Sequence, residues 1–299
     1  MYAYANRVKP GVEYDLHNHS DRSKDGRTPG RRLIDLAAHR GLRGLGICDH
    51  DEFPDESLYA HARRKGVRLA LGIEFTCDKA HVIGFGLSPS KADRKAMEQR
   101  FTALRANAVR VAQQILAGLA GLGLPIPEER LRAFAGKEPQ KAFIMKYLVE
   151  ELGLFATWAE ARAFLRSEGL AAQDSEGLPP LHPAEAVALI RRSGGVSVWA
   201  HPLLSPEHLR EGYLRDMRDA GLDAVEAVYA YGENGYSGPE SNAVLEARTL
   251  AMIRDTGLAV SGGSDSHYPV KTDLDRRPIR PGDRGITAQE TEPFARIFA

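Results

Sequence analysis

The stretch that decides the fold runs from residue 14 to residue 87. It holds YDLHNH (14–19), LRGLGICDHD (42–51), VRLALGIE (67–74) and HVIGFGL (81–87), four short apolar runs separated by polar segments. Residues 14–16 read as a strand, and Thr28-Pro29 as the cap and first turn of a helix through Arg40. Residues 42–49 form a second strand, 57–65 a second helix, 67–74 a third strand and 81–87 a fourth. Strands alternating with helices specify a parallel α/β architecture.

The rhythm stops near Pro89. Phe101, Leu104, Ala108, Val111, Ile115, Leu119 and Leu122 recur at spacings of three and four, which predicts a long helix from Lys91 that Gly123 and Pro125 end. Further helices are expected over 128–135, 140–152 and 158–167, followed by a loop over 173–180. The alternation then resumes: helix 183–193, strand 195–200, helix 206–220, strand 224–229, helix 237–256 and strand 259–263. The expected organisation is a discontinuous α/β domain, residues 1–89 and 183–299, with an inserted all-helical domain at 90–182. Seven strands suit a barrel-like or strongly curved sheet.

Residue types that bind metals fall at the ends of these strands. His17 and His19 end the first, Asp49-His50-Asp51 the second and Glu74 the third; His201 follows the fifth, and Asp265-Ser266-His267 the last. In parallel α/β barrels the C-terminal strand ends share one rim, where active sites assemble. His81 opens its strand and joins that rim only through a hairpin-like return. Imidazoles mixed with carboxylates suit manganese, zinc or iron, and the lack of cysteine among them excludes a structural zinc knot. This many donors can hold two or three ions, and Glu74 can bridge two through its two oxygens. Asp49 and Asp51 read equally as residues that orient His50. His39, His61 and His208 fall in helices and read as surface or packing residues; His182 carries no assignment.

Composition bounds the rest. Lys+Arg 40 balances Asp+Glu 40, which excludes broad electrostatic capture of extended nucleic acid or of a membrane. Two cysteines, Cys48 and Cys77, make no disulfide framework, and MYAYANRVKPG at the start lacks the apolar core of a signal peptide. The expected setting is the cytoplasm.

Asp15-Leu-His-Asn-His-Ser20 with Asp25-Gly26 and Pro29 resembles the first motif of the PHP (polymerase and histidinol phosphatase) family. Asp49-His50-Asp51, Gly72-Ile-Glu74, His81-Val-Ile-Gly-Phe-Gly86, Ala200-His-Pro202 and Gly263-Ser-Asp-Ser-His267 resemble its later motifs in order. The resemblance implies a distorted (β/α)7 barrel with a trinuclear metal site. One ion falls to His17, His19, Glu74 and Asp265, a second to Glu74, His81 and His201, and a third to Asp25, His50 and His267. The implied nucleophile is a hydroxide bridging the first two ions, so no catalytic residue separates from the ligands. The loop after His19 is one residue longer than the closest members have, which makes Asp21 the alternative to Asp25.

The helical insertion resembles the lid of PHP phosphoesterases that act on nucleoside bisphosphates or short RNA. Lys141 and Phe143 stand where an arginine and a histidine usually face the second phosphate, and the aromatic-Val-x-His element is replaced by residues 173–180. Substrate-contact candidates are Lys141, Lys146, Arg22, Lys24 and Arg284. The implied activity is hydrolysis of a small phosphate ester: a nucleotide or sugar monoester, or a five-membered cyclic diester opened and then dephosphorylated. The alternatives are a 5′-end exoribonuclease or oligonucleotide phosphodiesterase, a non-catalytic metal-binding module and, on chemistry alone, an amide hydrolase.

Overall fold

Seven strands lie in sequence order in one sheet of the computed structural model, which describes residues 8, 11–170, 178–234, 236, 238–267 and 279–298. They are β1 (Tyr14–Asp15), β2 (Gly44–His50), β3 (Arg68–Thr76), β4 (His81–Phe85), β5 (Val196–Ala200), β6 (Ala224–Tyr229) and β7 (Ala259–Gly263). β1, β2 and β3 are parallel, as are β5, β6 and β7. β4 runs antiparallel to both of its neighbours, so the sheet is mixed rather than wholly parallel. The reason is local. Only residues 77–80 separate β3 from β4, too few for the crossover that parallel pairing needs. Lys79, at φ 52°, makes the reversal.

The sheet curls until β1 meets β7. Leu16 donates its N–H to the Gly262 carbonyl at 3.1 Å, Asp265 to His17 at 2.7 Å and His19 to Ser266 at 3.0 Å. A barrel nearly closed in this way carries helices outside it: α1 (Gly30–Arg40), α2 (Leu58–Lys65), α7 (Pro183–Arg192), α8 (Glu207–Ala220) and α9 (Asn242–Ile253). Leu33, Ile34 and Ala37 of α1 and Leu58 and Ala62 of α2 pack on Leu45, Ile47, Leu69 and Leu71. The alternate residues Cys48 and Ala70 belong to a different cluster with Tyr14, Ile83 and Val198. This period of two puts His50 and Glu74 on the same face as Cys48 and Ala70. At the seam, a Cβ on Gly263 would sit 2.4 Å from the His17 nitrogen, so only glycine allows β1 this close.

Two helix starts differ from the sequence reading. Pro29, not Thr28, is the cap residue of α1, and no side chain caps it. α9 begins at Asn242, where Ser241 caps the Val244 N–H, rather than near residue 237.

Asp15 clamps the seam. Its buried carboxylate accepts the N–H of Ser264 at 3.0 Å, of Gly282 at 2.6 Å and of His17 at 3.3 Å, together with the Asn18 amide at 2.9 Å. Burial pushes this carboxyl up to about 6, against the pull of those donors. An amide offers one acceptor oxygen where the carboxylate offers two. Asp15→Asn should therefore leave a buried N–H unmatched and lower the unfolding free energy by about 1–3 kcal/mol in urea titrations. An unchanged midpoint would contradict the clamp.

The chain folds as two compact units. The second, Lys95–Pro179 among the described residues, is helical: most of α3 (Lys91–Gly121), then α4 (Glu128–Ala135), α5 (Lys141–Glu150) and α6 (Trp158–Ser167). Its own core joins Val111, Ile115 and Leu119 of α3 to Leu131, Phe143, Ile144, Leu148 and Leu165. Residues 171–177, most of the expected loop at 173–180, lie outside the described residues. Among the described residues no helix is long and apolar enough to cross a membrane.

Candidate metal centre

Glu74, third from the end of β3, is the hub of the rim. Its Oε2 lies 3.3 Å from His17 Nε2, 3.2 Å from His19 Nε2 and 3.3 Å from His50 Nδ1. Its Oε1 lies 2.9 Å from His81 Nδ1 and 3.0 Å from His201 Nε2. The reversed strand explains how His81 reaches this point. His81 pairs with Thr76 on one side and with Ala200 on the other, so the start of β4 stands between the ends of β3 and β5.

Asp265 and Asp25 complete the cluster. Asp265 Oδ1 lies 3.0 Å from His19 Nε2 and 3.5 Å from His17 Nε2, and Asp25 Oδ2 lies 3.2 Å from His267 Nε2. His19 is stacked between His50 and His267, with ring centroids 4.7 and 4.3 Å away. Ser23 ties the loop together by donating to Asp25 at 2.8 Å and lying 3.2 Å from His19 Nδ1. The extra loop residue does not displace Asp25: Asp21 is exposed, and its N–H bonds the Thr28 carbonyl. A Cβ on Gly26 would sit 2.0 Å from the Ser20 carbonyl oxygen, so this glycine lets the loop fold back on itself.

All nine residues read from the strand ends and the Asp25 loop thus meet in one cluster. Four overlapping donor groups within it could each hold an ion: His19, Asp25, His50 and His267; His17, His19 and Glu74; His17, His201 and Asp265; and His50, Glu74 and His81. The backbone is strained at two of these residues, His201 at φ 31° and Asp265 at φ 48°, as is common where a structure holds functional groups in place.

The electrostatics fit cations. Burial raises the carboxyls of Glu74, Asp265 and Asp25, but the surrounding imidazoles outweigh it and hold all three well below the usual range. Burial opposes charge on His19, yet its hydrogen bonds to Asp265 and Glu74 push it up to about 10. Burial keeps His50 well below the ordinary histidine value. His50 Nδ1 and His267 Nε2 are buried beside carboxylates but out of hydrogen-bonding alignment, and Asp265 Oδ1 lies among the imidazoles of His17, His19 and His267. His17 Nε2 and His19 Nε2 face each other at 3.2 Å, where at most one proton fits. Divalent cations would satisfy every one of these lone pairs, so the donor set fits metal ions.

Several other residues take structural positions. Asp49 accepts the Ser20 N–H and hydroxyl at 2.6 and 2.7 Å, and Asp51 the Thr76 N–H at 3.0 Å; both brace loops rather than the His50 ring. His182 caps α7 in a reciprocal box with Glu185. His39 and His208 are exposed, and His61 pairs with Asp35 at 3.0 Å. Among the substrate-contact candidates, Arg22 is exposed and pairs with Glu52 at 3.2 Å. Lys24 lies close enough to His50 to disfavour its charge. Arg284 stands 4.0 and 3.9 Å from Glu233 and Glu246. Lys141 begins α5 and is half-buried, whereas Lys146 is wholly buried, its Nζ 5.0 Å from the centre of the Phe143 ring. It is no solvated lysine.

The strand-end reading missed Glu226 and Tyr229 of β6. Glu226 lies 3.0 Å from His17 Nδ1 and Tyr229 donates to Asp265 Oδ2 at 2.6 Å. The available signal was a carboxylate in the middle of an otherwise apolar strand, Ala224-Val-Glu-Ala-Val-Tyr229.

A nearly closed α/β barrel with imidazoles and carboxylates gathered at its strand ends defines a barrel protein with a candidate metal centre. Residues 15–149 match the family model of the PHP domain. Solved structures share the fold. One is a Bifidobacterium adolescentis protein provisionally named a metal-dependent phosphoesterase, 24% identical, with a TM-score of 0.74 over 97% of this chain and 98% of that one. Another is an amidohydrolase from Chromobacterium violaceum solved with bound sulfate and no metal, 23% identical, with a TM-score of 0.66 over 90% of this chain and 94% of that one. No curated relative matches the chain.

Proposed function

We propose that this protein is a PHP-type metal-dependent phosphoesterase acting on small phosphate esters. The observation that carries the reading is Glu74, whose two oxygens face five imidazoles, four of them within the segment that matches the PHP domain. Two to three divalent ions, manganese with zinc or iron as alternatives, are held in three groups. His17, His19, Glu74 and Asp265 hold one, Glu74, His81 and His201 the second, and Asp25, His50 and His267 the third. Bound there, the ions supply Lewis acidity, which lowers the pKa of water and neutralises charge on a phosphoryl group.

The protein's own groups orient that chemistry. Glu74 keeps imidazoles from four strand ends aimed at one point, and stacking on both faces fixes the His19 ring. Lys24, beside His50, supplies positive charge next to the cluster for a phosphate oxygen. The substrate class is a nucleotide or sugar phosphate monoester, or a five-membered cyclic phosphodiester opened and then dephosphorylated at the same centre. Several donor groups in one cluster suit the two-step version, since a second hydroxide can attack the same phosphorus once the ring is open. A formal net charge of zero disfavours long polynucleotides, and two buried free cysteines suit the reducing cytoplasm.

The test is a phosphate-release screen of manganese-loaded protein on nucleotides, sugar phosphates, cyclic phosphates, a short 5′-phosphorylated RNA and an amide series. Turnover of a small ester, with RNA and amides inert, is the expected result. Amide cleavage without phosphate release would overturn the phosphoesterase reading.

A further inference from the structure

β6 contributes none of the expected metal ligands, yet two of its side chains reach three of them. Glu226 is buried with both oxygens engaged: Oε1 and Oε2 lie 3.0 and 3.2 Å from Nδ1 of His17, and Oε2 accepts the backbone N–H of His201 at 2.8 Å. Tyr229, also buried, donates its hydroxyl to Asp265 Oδ2 at 2.6 Å. Residues three apart on a regular strand face opposite sides of the sheet. Here the pairing of β6 with β7 shifts register between Glu226 and Val228, and that bulge brings both side chains to the same face.

We propose that the bulged strand β6 is the positioning strand of the metal centre. Glu226 fixes His17 with its proton on Nδ1, so that Nε2 presents a lone pair to a cation, and it holds the left-handed backbone of His201. Tyr229 turns Asp265 so that Oδ1 faces the imidazoles. A carboxylate only accepts hydrogen bonds, so the proton between Glu226 and His17 sits on the imidazole. The opposite nitrogen of that ring then points at Glu74 Oε2, 3.3 Å away, in the middle of the cluster. His201 gains the same service through its main chain, where φ 31° needs an anchor. One strand thereby sets the aim of ligands that belong to β1, β5 and β7. Neither residue touches substrate or ion; both act through the ligands they hold.

The inference rests on the metal-centre reading, and the experiment separates the two. Zinc, which is diamagnetic, is titrated into the chelator-stripped full-length protein, wild type beside Glu226→Gln, Glu226→Ala and Tyr229→Phe. Histidine-labelled zinc-loaded samples are then read by 15N–1H NMR, with thermal unfolding as the control for folding. In wild type, His17 should bind through Nε2 and show a slowly exchanging Nδ1–H. Glu226→Ala should lose that signal, and Glu226→Gln, whose side-chain oxygen still accepts, should restore it. Glu226→Gln and Tyr229→Phe should melt near wild type and bind zinc roughly 10- to 100-fold more weakly. Ligation of His17 through Nδ1, or zinc affinity unchanged in both Glu226→Gln and Tyr229→Phe, would overturn the proposal. Should Glu226→Ala not fold, the wild-type spectrum and the other two variants decide alone. Wild-type protein that takes up no zinc would instead overturn the metal-centre reading.

Discussion

Glu74→Gln should strip the centre of at least one ion and lower kcat/KM roughly a thousandfold, while the protein stays folded. The substitution keeps the shape of the side chain but exchanges an acceptor oxygen for a donor NH2. Either orientation of the amide sets that NH2 against imidazoles: His81 and His201 on the Oε1 side, or His17, His19 and His50 on the Oε2 side. If Glu74 bridges two cations, one of them would lose a bond and the pair would lose the negative charge that offsets their repulsion. Losing metal stabilisation of a phosphoryl transition state costs several kcal/mol, and about 4 kcal/mol corresponds to that thousandfold loss. Elemental analysis and steady-state kinetics on the same preparation check it. Wild-type metal content together with wild-type kinetics would show that Glu74 is not the bridge.

Removing the ions should give the protein a stability maximum near pH 6.5. The His19 imidazole, raised to about 10 by Asp265 and Glu74 against the effect of burial, stays protonated when folded and loses its proton near 6.5 when unfolded. Its contribution is complete below 6.5 and drains away as pH rises through 10, by about 1.4 kcal/mol per pH unit. His50 works the other way. Burial holds it neutral in the folded chain, so stability falls as pH drops below 6.5 and the unfolded chain takes up the proton. Glu74, Asp265 and Asp25, held low by their histidines, add a further loss as pH falls below about 4. A cation takes the place of the His19 proton, so metal-loaded protein should lack the alkaline decline. Urea midpoints from pH 5 to 9.5, with and without manganese, test both arms. Metal-free protein that gains stability between pH 7 and 9 would contradict the assignment of His19.

The parts of this molecule that could be read in its sequence are those that physics writes locally. The seven strands show as apolar runs, and the helical insertion shows as a period of three and four from Phe101 to Leu122. His17, His19, His50, Glu74, His201, Asp265 and His267 stand at strand ends, and the barrel rule converts that position into proximity. What stayed hidden depends on pairing. The reversal of β4 follows from the short segment 77–80, which is visible in sequence, but its effect on His81 depends on contact with Ala200, remote along the chain. Glu226 and Tyr229 share a face only because of a bulge, a register feature no single strand encodes. Asp15 looks like part of a metal motif, yet its carboxylate serves Ser264 and Gly282.

The seam between β1 and β7 also dictates when, in the life of the molecule, the centre can exist. Six donors, from His17 to His81, leave the ribosome early, whereas the strand that closes on them ends at Gly263. At synthesis rates of about 5–20 residues per second, roughly ten to fifty seconds separate the first histidines from Asp265 and His267. Throughout that interval the growing chain carries exposed imidazoles with no carboxylate clamp from β7, a half-built chelator open to whichever ion binds nitrogen most avidly. If ions bind there, selectivity among them is imposed once β7 has been made, when the two-residue strand β1 docks and Asp265 hydrogen-bonds to His17. Closure of the seam would then be the checkpoint for metallation.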